Sequence, residues 1–423
     1  MRESSSPHRF ALRPRRAATL VLAALVCGPG QLAAQAPEFR VNSYTTGLQV
    51  YPAVADLPGG GFVVVWQSSR SPGSDSDRDS ILGRRFDASA SPVGDDFQVN
   101  ADTTSKQISP RVESLAGGGF VVVWVTEPPP GQGAGLGDIK GRVFDGAGAP
   151  VASEFQVDPP DSETLAFRPA VAAVDAGGFA VVWHDTDEEV FIRSFDAAGA
   201  ALGAPVLLDT DPCTKTSGLS TVAGVDYVAL WRCTGGATLQ TISLRRFGAD
   251  GLALAATQVG PQTGGSLAAT PVDDGFLIFV PEVSESTGWR GERYDLVGAP
   301  TGETLPMTIP SAIASVDDGF VTVWSDNVPA GTDADRQSVK FGRVSAGGQV
   351  LNPAQQVNVF TTQDQVSSDV AALPNGGFVV VWRSSLSADD DEVASIRGRV
   401  LRDDVFADGF ESGDTSAWDA ELP

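Results

Sequence analysis

Apolar residues gather into one block that returns along the whole chain. It reads GFVVVW and its variants, usually after one or two extra glycines, and ends at Trp66, Trp124, Trp183, Trp231, Val280, Trp324 and Trp382. Copy three reads GFAVVW, copy four decays to VDYVALW, copy five to GFLIFV, and copy six reads GFVTVW. The blocks recur about every 45 to 60 residues, in or just beyond the range of blade-type repeats. A run that is apolar at consecutive positions is expected of a strand buried on both faces.

Three further strand-like runs accompany each block. A short run rich in small residues precedes it: PAVADL at 52–57, PRVESL at 110–115, PAVAAV at 169–174, SAIASV at 311–316 and DVAAL at 369–373. After it come ILGRRFD at 81–87, IKGRVFD at 139–145 and FIRSFD at 191–196, with apolar and polar residues partly alternating. The last run is DFQVN at 96–100, EFQVD at 154–158 and AQQVN at 354–358. Glycine-rich turns such as Pro58-Gly59-Gly60-Gly61 join the first two runs. Turns such as Asp145 to Gly148 and Asp196 to Gly199 join the last two, with Asp first and Gly fourth. Four antiparallel strands repeated seven times, with almost no helical periodicity, predict an all-β fold, a seven-bladed β-propeller. The alternatives are a sandwich or a linear β-solenoid.

The chain ends bear on closure. Residues 38–42, EFRVN, form a fourth run before any first one, and IRGRVL at 396–401 completes a third run that no fourth follows. The N-terminal strand 38–42 is therefore expected to join the last blade and close the ring. Domain organisation follows: 1–36 a signal peptide, 37–402 the propeller, and 403–423 a C-terminal tail.

Arg9, Arg13, Arg15 and Arg16 precede the apolar run AATLVLAALV at 17–26, too short to span a membrane, and Ala33-Ala34-Gln35-Ala36 offers cleavage after Ala36 or Ala34. Cys27 sits in a poor lipobox, because Val26 precedes it, and the pair Arg15-Arg16 matches a twin-arginine signal only weakly. Export is expected, to the periplasm, the cell surface or the medium, without membrane insertion. Past residue 36 only Cys213 and Cys233 remain, flanking the first two strands of blade four, so a disulfide is expected between them. Closing that loop of about 20 residues is worth about 3 kcal/mol in the chain-entropy model. The formal net charge of −24, more negative once the arginine-rich leader is removed, argues against nucleic acid or anionic lipid as a partner.

Strand order places the second-to-third loops and the inter-blade links on one face. There blades one, two, six and seven carry long loops, at 67–80, 125–138, 325–338 and 383–395, which would form a crescent when the ring closes. The links repeat Asn42-x-x-Thr45-Thr46-x-x-Gln49, Asn100-x-x-Thr103-Thr104-x-x-Gln107 and Asn358-x-x-Thr361-Thr362-x-x-Gln365, read first as capping of backbone groups. The crescent is the expected place for a partner.

Several of those loops are acidic. Asp75, Asp77 and Asp79 alternate along one, Asp333 and Asp335 lie in another, and Asp389-Asp390-Asp391-Glu392 form a third. Such spacing offers calcium several carboxylates at short range, although the glycine and distal glutamate of an EF-hand are missing. The competing reading is solvated acidic surface.

Catalytic candidates are few. His184 is the one histidine outside the leader, in Trp183-His184-Asp185, and reads more readily as a satisfied surface or edge residue than as part of a triad. Metal sites needing several histidines are excluded. Paired carboxylates for glycoside hydrolysis stay open, because their separation is invisible in sequence. A sialidase-type Asp box is approached by Ser315-x-Asp317-x-Gly319, but Trp324 comes two positions late.

The unit PxVAxLxxGGFVVVW…IxGRxFDxxGxPxGxxFQVN resembles a repeat of large secreted and surface proteins of Gram-negative bacteria, often found beside calcium-binding or adhesion modules. It is loosely similar to kelch repeats in strand order. The resemblance covers 37–402 and implies a β-propeller without established enzymatic activity. The segment 408–418, DGFESGDTSAW, resembles a C-terminal motif of exported proteins from related bacteria. The resulting expectation is a secreted, non-catalytic propeller, monomeric, binding a protein or glycan at the cell surface. The alternatives are a propeller enzyme acting on carbohydrate through carboxylates at the channel mouth, and a structural surface or matrix component.

Overall fold

In the computed structural model, residues 36–402 are described except for 70–78, 104, 128–136, 160–165, 175–176, 211–213, 223–225, 235–239, 249–252, 263–268, 273–274, 282–288, 296–298, 308–310, 318, 328–335, 346–349, 375 and 386–393. All the described strands belong to one compact unit, residues 34–403. The other unit, 1–33 with 404–423, lies outside the described residues and takes with it the signal peptide and the C-terminal motif.

The described residues form strands and turns, with no helix. After β1 (Phe39–Arg40), the first sheet contains β2 (Gln49–Leu57), β3 (Gly61–Ser69), β4 (Asp79–Phe86) and β5 (Phe97–Gln98). The second contains β6 (Lys106–Ser114), β7 (Phe120–Glu127), β8 (Ile139–Phe144) and β9 (Phe155–Gln156), and the third β10 (Ala166–Ala173), β11 (Phe179–Asp185), β12 (Val190–Phe195) and β13 (Val206–Asp209). The fourth contains β14 (Thr214–Val222), β15 (Asp226–Thr234), β16 (Gln240–Gly248) and β17 (Ala253–Gln262). The fifth contains β18 (Ala269–Val272), β19 (Gly275–Pro281), β20 (Trp289–Asp295) and β21 (Pro300–Met307). The sixth contains β22 (Ala312–Val316), β23 (Gly319–Asp326), β24 (Ser338–Ser345) and β25 (Val350–Gln356). The seventh contains β26 (Gln365–Leu373), β27 (Gly377–Ser385) and β28 (Ala394–Arg402), and its fourth strand is β1. Every strand–strand pairing is antiparallel, with Phe39 opposite Gly398 and Arg40 opposite Arg397 in the last sheet, and an isolated parallel bridge joins Leu48 to Ala394.

This is a β-propeller of antiparallel blades. Six of the sheets register as blades, one fewer than the seven sequence copies predict, and the ring is not closed by hydrogen bonds. The first strands of successive sheets meet through side chains instead of a shared backbone ladder, and β2 touches both β6 and β26.

The recurrent block is apolar throughout because its two faces enter two different interfaces. Phe62, Val64 and Trp66 pack with Val379, Val381 and Ile396 of the last sheet. Val63 and Val65, pointing the other way, pack with Val112, Phe120 and Trp124 of the second. The core is thus divided into layers between sheets, each stabilised by burial at about 25 cal/mol per Å² of apolar surface.

A glycine and a phenylalanine of the repeat settle the register. The glycine of the third strand and the phenylalanine of the fourth form one fitted pair. A methyl group placed on Gly83 would sit 2.6 Å from the Phe97 ring, on Gly141 2.4 Å from Phe155, and on Gly398 2.6 Å from Phe39. The same fit at all three sites explains why an N-terminal strand completes the last sheet.

The link motif is capping chemistry turned inward. Gln49, Gln107 and Gln365 are fully buried and accept the indole N–H of Trp66, Trp124 and Trp382 at 2.8, 2.7 and 3.0 Å. Asn42, Asn100 and Asn358 accept the backbone N–H of Ile396, Ile81 and Val339 at 2.8, 2.8 and 2.9 Å. Their amides donate onward to the carbonyls of Tyr44, Asp102 and Phe360. Asp145 and Asp196 each accept two N–H groups within their turns, and Gly148 and Gly199 take the positive φ those turns need.

Candidate functional site

The first strands line the centre, and the small residues of the PAVADL-type run fall there. Polar side chains interrupt that small-residue wall in three adjacent sheets. In β26 it is Asp369, in β2 Asp56, and in β6 Arg111 and Glu113. Asp369 and Arg111 occupy matching positions, each just before the valine shared by the runs (Val370 and Val112).

Each carboxylate reaches the next sheet. Asp369 accepts the N–H of Val54 at 2.9 Å, and Asp56 accepts the Ser114 hydroxyl at 3.1 Å. Glu113 accepts the backbone N–H of Ala173 in β10. The Val54 and Ala173 N–H groups lie on the open edge of an innermost strand, where the ladder leaves them over, whereas Asp56 takes a side-chain hydroxyl.

Electrostatics distinguish the three. Burial pushes Glu113 up to about 8, and the negative charges of Asp56 and then Asp369 push the same way against the Ala173 hydrogen bond. Burial also raises Asp56, opposed by the Ser114 hydrogen bond, and raises Asp369, opposed by the Val54 N–H and by Arg111. Arg111 is lowered by the same desolvation and held up by Asp369, while its Nη1 donates to the Pro110 carbonyl at 2.8 Å. All three carboxylates are only half-buried and Arg111 is exposed. The groups are largely desolvated by protein yet retain exposed surface, as a reactive group must. A carboxyl that keeps its proton at neutral pH beside a second carboxylate is the pairing that acid–base chemistry uses.

At the end of the first strands nearest the glycine turns lies a cavity of about 330 Å³. Asp56, Ser315, Asp317, Leu373, Pro374 and Gly376 contribute to its lining, drawn from the first, sixth and seventh sheets. Asp56 thus belongs both to the carboxylate group and to an open concavity.

Of the residues expected to bind calcium, Asp75, Asp77, Asp333, Asp335, Asp389 and Asp391 lie outside the described residues. Asp79 is described and opens β4, where it accepts the Gln67 amide at 3.1 Å and the Ser69 hydroxyl. That carboxylate fastens a hairpin. Among the described residues no group of three or more His, Cys, Asp or Glu is placed to hold a metal ion. Cys213 also lies outside them, while the Cys233 backbone pairs within β15 and β16.

His184 is corrected from a surface or edge residue to a core one, 1% exposed in β11. Asp185 beside it accepts the N–H groups of Asp187 and Glu189, so the Trp183-His184-Asp185 sequence closes a strand and begins a turn. The channel carboxylates escaped sequence reading because Asp56, Glu113 and Asp369 stand at non-equivalent positions of three repeats. The one available signal was their departure from small residues in the PAVADL-type run.

No family model and no curated protein match the chain. Solved structures similar to it include a protein of unknown function from Dyadobacter fermentans DSM 18053. That likeness has a TM-score of 0.50 at 13% identity, over 87% of this chain and 98% of the other, and it shows the fold alone. Also similar are the NanB sialidase from Streptococcus pneumoniae (TM-score 0.47, 9% identity, 89% and 71% covered) and the endo-arabinase from Bacteroides thetaiotaomicron (0.35, 13%, 86% and 97%). The expectation that the chain is not an enzyme is corrected here: three partly exposed carboxyls converge from adjacent sheets, and one of them is pushed up to about 8, a pairing suited to proton transfer.

Proposed function

We propose that the chain is an exported propeller enzyme that hydrolyses glycosidic bonds with the carboxyls of its central channel. The observation that carries this reading is the convergence of Asp56, Glu113 and Asp369 from adjacent sheets, with Glu113 pushed up to about 8. Glu113 donates its proton to the glycosidic oxygen. Asp56, at the cavity, takes a proton from the attacking water. The bond from the anomeric carbon to the leaving oxygen breaks as water's oxygen adds, and one proton passes from Glu113 to product while another passes to Asp56. Arg111 pairs with Asp369 and offsets part of the negative charge that would otherwise oppose the ionised Asp56.

The reading includes a seven-bladed ring in which β1 completes the seventh sheet, export by the N-terminal leader, and a Cys213–Cys233 disulfide in the fourth sheet. It places the enzyme outside the cytoplasm, where polysaccharide is met.

The test is release of reducing ends from a panel of plant, bacterial and host polysaccharides and of aryl glycosides. Glu113→Gln and Asp56→Asn serve as controls. Hydrolysis that falls at least about 100-fold in Glu113→Gln supports the assignment. Absence of hydrolysis across the panel, or full activity in both variants, overturns it.

A further inference from the structure

Three non-glycine residues at the start of neighbouring innermost strands hold the left-handed conformation: Tyr51 at φ 53°, Ser109 at φ 54° and Ser367 at φ 56°. Each sits in a β-bulge, where register shifts between Val50 and Ala53, Ile108 and Arg111, and Val366 and Asp369. The bulges fall in the first, second and seventh sheets, the same three that contribute Asp56, Arg111 with Glu113, and Asp369. Each bulge immediately precedes the level of Arg111 and Asp369.

The bulge is a feature of the repeat, but the residue in it is not fixed by the backbone. Serine is tolerated there in two sheets. A tyrosine is a genuine outlier at this φ, costing about 1 kcal/mol or more, and burial does not offset the cost, because Tyr51 is 51% exposed. Asparagine would suit the backbone better. Tyr51 is thus a strained, exposed aromatic at the link-side end of an innermost strand, and bulges beside active sites commonly serve to aim a side chain.

Resting on the glycosidase reading, we infer that Tyr51, Ser109 and Ser367 form a glycan subsite at the link-side mouth of the channel. Tyr51 stacks on the apolar face of a sugar ring, and the two serine hydroxyls hydrogen-bond sugar hydroxyls. From Tyr51 to the level of Glu113 is four residues along a strand, about 13 Å. That span suits a short oligosaccharide and exceeds a single sugar, so the subsite selects for chain length.

The experiment compares wild type, Tyr51→Asn and Tyr51→Phe on an oligosaccharide ladder of the polysaccharide the wild type cleaves. An aryl monoglycoside serves as the short substrate. Tyr51→Asn is expected to raise KM about tenfold for the longer oligosaccharides, leaving kcat and the short substrate unchanged. Tyr51→Phe keeps the ring and stays near wild type. The melting temperature of Tyr51→Asn is unchanged or higher, because asparagine relieves the φ strain, so misfolding cannot mimic the result. Equal KM at all lengths, or an equal rise for short and long substrates, overturns the subsite. Affinity electrophoresis through gels containing each polysaccharide separates the two readings. Retardation lost in Tyr51→Asn supports the subsite even if nothing is cleaved, and absence of retardation by every polysaccharide overturns it.

Discussion

The links between sheets and the walls of the channel face the same physical problem with different side chains. In both places a side-chain oxygen must receive a backbone N–H that the strand ladder leaves over. The links use neutral amides: Asn100 accepts from Ile81 and donates to the Asp102 carbonyl, so both of its polar ends are satisfied without charge. The channel uses Asp369 and Glu113 for the N–H groups of Val54 and Ala173, although an amide would cap as well. Burial disfavours the charged form, so choosing a carboxyl where an amide suffices costs stability. The difference teaches that the channel carboxyls serve more than capping. One link breaks the pattern: Asp158 replaces asparagine, accepts the Ile139 N–H at 2.8 Å, and is pushed up to about 6 by burial, with Asp138 adding to the shift.

The comparison breaks most visibly where a link amide is removed. Asn100→Ala orphans the buried Ile81 N–H and is expected to lower unfolding free energy by about 2–3 kcal/mol, read by chemical denaturation. Equal stability would mean that the links do not organise the sheets.

In the channel the sign reverses. Glu113→Gln is expected to stabilise the fold at pH 7 by about 1–3 kcal/mol while removing hydrolysis. A destabilised Glu113→Gln would show that the carboxyl is structural.

Asp158→Asn should restore the amide pattern and add about 1 kcal/mol at pH 7, measured as a rise in melting temperature. It tests whether this link is an imperfect copy of its neighbours.

The pH profile then separates the two regions. Folded Asp158 holds its proton to about pH 6, against 3.8 for an ordinary aspartate, and folded Glu113 to about pH 8, against 4.5 for an ordinary glutamate. Between each pair of values the folded chain binds more protons than the unfolded chain, so stability falls as pH rises through both windows. Asp158→Asn flattens the fall between about pH 4 and 6, and Glu113→Gln flattens the part reaching pH 8. A melting curve unchanged by either substitution would contradict the assigned burial.

The smallest effect belongs to Asp79. Asp79→Asn keeps an acceptor for Gln67 and Ser69 at the edge of a hairpin and should shift stability by less than about 0.5 kcal/mol.

Much of this was legible along the chain. The GFVVVW block announced a strand buried on both faces, since adjacent apolar side chains point to opposite sides of a sheet. The EFRVN run at 38–42 announced the outer strand of the last sheet, and β1 takes that place at Phe39–Arg40. The Asp-x-x-Gly turns appeared as expected, because local backbone geometry selects their residues. Blade number was not legible: the sequence carries seven copies of the block, and six of the sheets register as blades.

The candidate site was not legible. Asp56, Glu113 and Asp369 lie far apart in the sequence and differ in position within their repeats, so no spacing or motif joins them. Sequence alone determined what each short segment does locally, strand, turn or cap, because those choices depend on side-chain alternation and on hydrogen bonds between near neighbours. Only the tertiary structure decided that three ordinary acidic residues share one channel. The arrangement of whole sheets around a centre sets their desolvation and their mutual repulsion, and those long-range terms leave no trace in any single repeat.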